Sequence, residues 1–240
     1  MARKTLGVKL LPINRSVPMA KKQFAPGAMV NPVPVVMVSC GGNGIAGDPG
    51  EKPNIITIAW TGIINSNPPM TYVSVRKERF SHQIISNAGE FVINLVNEPL
   101  TFAADWCGVK SGRDFDKFAE QKLTPAPAQI VSCPVIEESP VNIECKVKEV
   151  KELGSHDMFI AEIVNVLADE SIVDEKGAIR LDRAGLVAYN HGHYFPLKKA
   201  ELGRFGYSVM KPKTKKRYEA AKRAENRSRA RQRSKNKGRD

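Results

Sequence analysis

The chain has 240 residues and a formal net charge of +12. That length can bury the core of one sizeable domain. Its apolar runs fall far short of the roughly 18 residues a spanning helix needs, and no leader pattern is recognisable, so a cytoplasmic protein without a membrane span is expected.

Residues 1–25 read as an irregular lead-in, and Pro32 to Ser39 as a first buried strand. A loop dense in Gly, Asp and Pro follows, from Gly41 to Pro53. It contains Gly42, Gly44 and Gly47 in the spacing GxGxxG. A dinucleotide fingerprint needs a helix opening inside the glycines and an acid about 20 residues on. Asp48-Pro49-Gly50 and Pro53 forbid the helix, and no acid lies between Glu51 and Glu78, so this is read as a plain glycine loop.

Ile55 to Trp60 and Thr71 to Val75 are rich in β-branched and aromatic residues and read as strands. Asn65 to Pro69 between them holds turn chemistry. Ser81 is expected to cap a short helix through Ser86 that Gly89 stops. Glu90 to Val96 reads as a strand, and Leu100 to Trp106 and Asp114 to Phe118 as short helices around a Gly-rich loop. After a proline-spaced connection, Val141 to Val147 alternates. Val141, Ile143, Cys145 and Val147 share one face; Asn142, Glu144 and Lys146 are expected on a solvated one. Phe159 to Val166 continues the pattern after a hairpin turn at Gly154 to Asp157. Many short strands and few helical periods predict a mainly β barrel over residues 26–210.

The charge is uneven. Residues 211–240 carry 14 Lys and Arg against 3 acids, a net of +11; the remaining 210 residues carry 23 against 22, a net of +1. Tyr218 to Glu225 has helix-forming composition, and the segment beyond it has almost nothing apolar to bury, so it is expected to be disordered. Such a tail can bind a polyanion, or merely solubilise. Cys40, Cys107, Cys133 and Cys145 form no CxxC pair and match no zinc spacing, so free thiols are expected. His191 and His193 lack a third ligand nearby, and no metal is expected.

The functional signal is concentrated at residues 53 to 82. Arg76, Lys77 and Arg79 cluster before Ser81, and a phosphate is bound by such guanidinium forks with a hydroxyl and free amides at a helix start. The alternative is a solvated turn with a helix cap.

This stretch resembles the FMN-binding core of the flavin reductase-like family, in particular its flavoredoxin branch. The resemblance continues through EFVINLV at 90–96, DWCGVKSGRDFDKF at 105–118, LGSHDMFIAEIV at 153–164 and ELGRFGYSV at 201–209. It implies a Greek-key antiparallel split barrel that forms a homodimer and binds FMN near the subunit interface. It places the ring edge along Asn54, Thr57, Ile58, Ala59, Trp60 and Thr61, and the phosphate at Arg76, Arg79, Phe80, Ser81 and His82. Cys107, Lys110, Ser111, Gly112 and Arg113 would close over the flavin, from the same or a second subunit, and a nucleophilic Cys107 would take Lys110 or Arg113 as its neighbouring cation. No catalytic acid–base pair is evident; Cys107 and His156 are the candidates, Cys107 equally readable as a packed thiol and His156 as an exposed turn residue. The implied activity takes electrons from NADH or NADPH, or from a protein donor, and passes them to flavin or a redox partner. The rival readings are a one-electron carrier without NAD(P)H turnover, and a polyanion- or nucleic-acid-binding protein acting through its basic tail.

Overall fold

Runs of β-branched residues set the strands, and the order in which they pair makes the barrel. The computed structural model describes residues 21–42, 51–197 and 201–221. Its strands are β1 (Val33–Pro34), β2 (Val36–Cys40), β3 (Asn54–Ile58), β4 (Thr61–Ser66), β5 (Pro69–Arg76), β6 (Glu90–Leu95), β7 (Pro125–Ala126), β8 (Val135–Ile136), β9 (Val141–Glu152), β10 (His156–Ala168), β11 (Val187–Asn190) and β12 (His193–Pro196). The helices are α1 (Phe80–Ala88), α2 (Thr101–Val109) and α3 (Lys117–Gln121), with a further helical run over 212–221.

Seven strands form one antiparallel sheet in the order β3-β2-β6-β9-β10-β5-β4. Its two edge strands, β3 and β4, are separated in the chain only by Ala59 and Trp60. Three Cα steps span at most about 11 Å, so the sheet must curl until its edges meet. The Ser74 amide on β5 donates to the Trp60 carbonyl across this junction at 2.9 Å. The result is an antiparallel split barrel, as expected, with crossovers of Greek-key type at the β2/β6 and β5/β10 pairings.

The interior is packed by Val36 and Val38 of β2, Ile56 and Ile58 of β3, Val73 and Val75 of β5, and Phe91 and Phe159. Ile84 and Ile85 of α1 join the same core, which is why this helix is held against the barrel. The opposite faces of β2 and β3 are buried too: Met37 and Ile55 pack with Ala103, Ala104 and Cys107 of α2 and with Phe118 of α3. Helix α2 rests directly on β3, since a Cβ at Gly108 would lie 3.2 Å from Thr57 Cβ.

Several local expectations need correction. Asn65 and Ser66, expected in the turn, instead complete β4, which hairpins onto β5. Ser81 is not the N-cap of α1: Arg79 holds that position, and Ser81 is buried in the first turn. Gly89 does end the helix, at φ 67°, its amide donating to Ile85. Helix α3 starts later than expected, with the Asp116 carboxylate accepting the Ala119 amide as its cap. Asn142 and Glu144 of β9 are buried, not solvated, because the 129–131 segment covers that face. Glu144 there accepts the amides of Gln129, Ile130 and Val131 and the Asn165 side chain. Burial alone would raise its carboxyl; these four donors outweigh it and hold it below the ordinary carboxylate value. His156 and Asp157 are part of β10 rather than its turn. Residues 1–20, most of the glycine loop (43–50) and the tail beyond residue 221 lie outside the described residues.

Candidate functional site

Where β3, the β5–α1 elbow and the loop after α2 converge, a cleft of about 480 Å³ opens. Asn54 and Ile56 of β3 form one wall, Arg76, Glu78, Arg79, Phe80 and Ser81 a second, and Lys110, Ser111, Gly112 and Arg113 a third; Lys117 also lines it. Five cations and one carboxylate in so small a space favour an anionic ligand.

The walls are tied together by short polar contacts. Asn54 Nδ2 donates to Ser81 Oγ at 2.7 Å, joining the barrel edge to the first turn of α1. Gly112 approaches so closely that a Cβ there would lie 2.1 Å from Asn54 Oδ1. The Arg113 guanidinium sits 5.2 Å from the centre of the Phe80 ring and donates to the Glu78 carbonyl at 3.4 Å. Arg76 is paired with Glu78 at 3.3 Å, whereas the Arg79 guanidinium has no hydrogen-bond partner among the described residues.

Lys117 was not singled out in the sequence. It is 3% exposed, and its ammonium donates at 2.7 Å to both the Ile55 and the Cys107 carbonyls. Burial pushes its pKa down to about 8, and the nearby Arg79 charge acts in the same direction. Buried lysines are rare, so nothing in DFDKF distinguished this one from a surface residue. Glu78 and Ile56 were likewise not assigned to the site.

Of the residues expected at the ligand, Asn54, Arg76, Arg79, Phe80, Ser81, Ser111 and Gly112 line the cleft together. The others lie elsewhere. The Thr57 hydroxyl donates to the Ala104 carbonyl, and that of Thr61 to the Tyr72 carbonyl at 2.6 Å. Ile58 is in the barrel core. Ala59 and Trp60 form the β3–β4 junction, where the half-exposed Trp60 ring lies 4.5 Å from His156. His82 turns from the elbow to Asp157, Nε2 to Oδ2 at 2.8 Å, and Lys77 approaches the other oxygen at 3.4 Å. His156 faces Arg76 in the strand register, one strand from the cleft; burial and the Arg76 charge lower its pKa. Cys107 is fully buried on the inner face of α2, and burial pushes its thiol up to about 11, the opposite of an activated nucleophile. Its neighbouring cation is Lys117, not Lys110 or Arg113.

Residues 29–198 match the family profile described as a flavin reductase like domain. The chain belongs to the flavin reductase-like family. A solved flavin reductase-like relative, the flavoredoxin of Desulfovibrio vulgaris (Miyazaki F), superposes with a TM-score of 0.71 at 30% identity, covering 79% of this chain and all of that one. An FMN-binding protein from Thermus thermophilus, solved with bound 1-cyclohex-2-enone, superposes at 0.64 with 22% identity, covering 78% of this chain and 99% of that one, a likeness of fold. Among curated relatives, an uncharacterised protein of Archaeoglobus fulgidus is 31% identical over 126 residues, 52% of this chain and 71% of its own length. Others match over as little as 40% of their length. Among the described residues, no helix is long and apolar enough to cross a membrane.

Proposed function

We propose that this protein is an FMN-binding oxidoreductase that takes electrons from NADH or NADPH, or from a protein donor, and passes them to free flavin or a redox partner. The observation that carries the reading is the cation-lined cleft at the β5–α1 elbow, with Arg79 and the buried Ser81 on one side and Gly112 pressed against Asn54 on the other. The fit is chemical as well as spatial. A phosphate needs guanidinium donors and a helix start. Gly112 lets the loop after α2 close onto β3 beside them, since any Cβ there would collide with Asn54.

FMN, when bound, supplies the hydride and electron chemistry. The protein's part is binding, orientation and exclusion of water. Arg79 and Arg76 neutralise the phosphate, and Ser81 can donate to it because its oxygen already accepts from Asn54. The Arg113–Phe80 stack holds the third wall over the cleft. Strand β3 ends the sheet, so one of its edges has no strand partner among the described residues and offers backbone groups to the ring edge. Trp60 and His156 stand together one strand away, where a nicotinamide or redox partner would approach.

On this reading residues 26–210 form the flavin domain of a cytoplasmic homodimer, and residues 211–240 a basic tail that either binds a polyanion or serves to solubilise. Anaerobic stopped-flow mixing of the FMN-loaded protein with NADH and with NADPH tests it. Prompt bleaching of the flavin by either supports a reductase. A flavin that stays oxidised with both leaves the one-electron carrier without NAD(P)H turnover.

A further inference from the structure

Lys117 poses a physical problem that the rest of the cleft does not. A buried ammonium costs several kcal/mol unless it is paired, and buried charges normally have a counter-ion. Here both of its acceptors among the described residues are neutral carbonyls, those of Ile55 on β3 and Cys107 on α2. The third N–H has no acceptor among the described residues. The titratable and charged groups around it make matters worse: Arg79 at the start of α1 repels it, and the Cys40 and Cys107 thiols, pushed up to about 12 and about 11, remain neutral. Lys110, Arg113 and Arg76 on the cleft walls add positive charge, and the one carboxylate, Glu78, is paired with Arg76.

We propose that the missing counter-ion of Lys117 is the phosphate of the bound ligand, so that binding is coupled to protonation of this lysine. The inference rests on the FMN reading and deepens it. Lys117 lines the same cleft as Arg79 and Ser81, its charge is close enough to Arg79 to be felt, and a dianion between two cations relieves the repulsion of both. In the free protein the lysine loses its proton near pH 8. With the phosphate in place it stays charged well above that. Ligand binding therefore takes up a proton between about pH 8 and pH 10, and affinity falls as the pH is raised through this window.

The test titrates FMN calorimetrically into the wild-type protein at pH 7 and pH 9, each in two buffers of different ionisation enthalpy. At pH 9, a large fraction of one proton should be taken up per FMN bound, and affinity should be up to about tenfold weaker than at pH 7. Lys117→Arg, which stays charged throughout, should show neither effect. Lys117→Gln should bind weakly at both pH values with no proton uptake. If wild-type protein binds FMN with no proton uptake and equal affinity at both pH values, Lys117 is not the coupled group and the inference falls while the FMN reading stands. If Lys117→Arg keeps the wild-type pH dependence, the inference likewise falls. If wild-type protein binds no FMN at either pH, the functional reading itself is overturned and the inference with it.

Discussion

Gly112 stands so close to Asn54 that one added methyl group would overlap the amide oxygen, at 2.1 Å. That contact fixes the loop after α2 against the barrel edge and sets the width of the cleft. Gly112→Ala should therefore push the loop away or turn Asn54 off Ser81. Overpacking of this kind costs about 1–3 kcal/mol. The expected outcome is a fold that survives, by circular dichroism, with FMN affinity reduced at least tenfold. Unchanged affinity would mean that the Gly112–Asn54 contact does not shape the ligand site.

The two arginines of the elbow should not be equivalent. Arg76 is already engaged with Glu78, while the Arg79 guanidinium has no hydrogen-bond partner among the described residues. Arg79→Gln should weaken FMN by about 1.5–3 kcal/mol, the range for a hydrogen bond to a charged group, and Arg76→Gln by less. Fluorescence titration of both variants gives the ranking; the reverse order would move the phosphate toward β5.

Acid should act through Glu144. Its carboxyl is held below the ordinary value of 4.5 in the folded chain, so its contribution is fully present above that value and is lost as the pH falls through the folded one. Glu144→Gln removes the charge from four hydrogen bonds and should destabilise the protein by about 2–3 kcal/mol at pH 7. Urea unfolding at pH 7 and pH 4 should show the gap between wild type and variant narrowing in acid. A gap that stays constant would contradict the account of this carboxylate.

The thiols should be silent in the native state. All four cysteines are buried and free, and burial raises each of them. An aromatic disulfide reagent should react only on unfolding, and Cys107→Ser should retain flavin binding and turnover. Rapid reaction of one thiol in folded protein would reopen Cys107 as a chemical residue.

What the sequence revealed and what it hid follow from the range of the forces involved. Val141, Ile143 and Cys145 on β9 were legible because a strand's period is local. The burial of Asn142 and Glu144 on the other face was not, because it depends on the 129–131 segment folding over them. The basic elbow at Arg76–Ser81 was legible as a local cluster, and it does line the cleft with Gly112 and Asn54. Within it, Ser81 was misread as a cap because its partner, Asn54, is 27 residues away. His82 was assigned to the same cluster, yet Asp157, 75 residues on, draws it to β10. Thr57 and Thr61 looked available because their acceptors are carbonyls on distant elements. Lys117 was hidden for the same reason: its two acceptors come from β3 and α2.

The most direct test of the central claim is equilibrium dialysis of purified protein against FMN, followed by an absorbance spectrum. The cleft between Arg79, Ser81, Asn54 and Gly112 predicts a yellow protein that retains about one FMN per chain, with retention reduced in Arg79→Gln. A colourless protein, with FMN equal on both sides of the membrane, would contradict it.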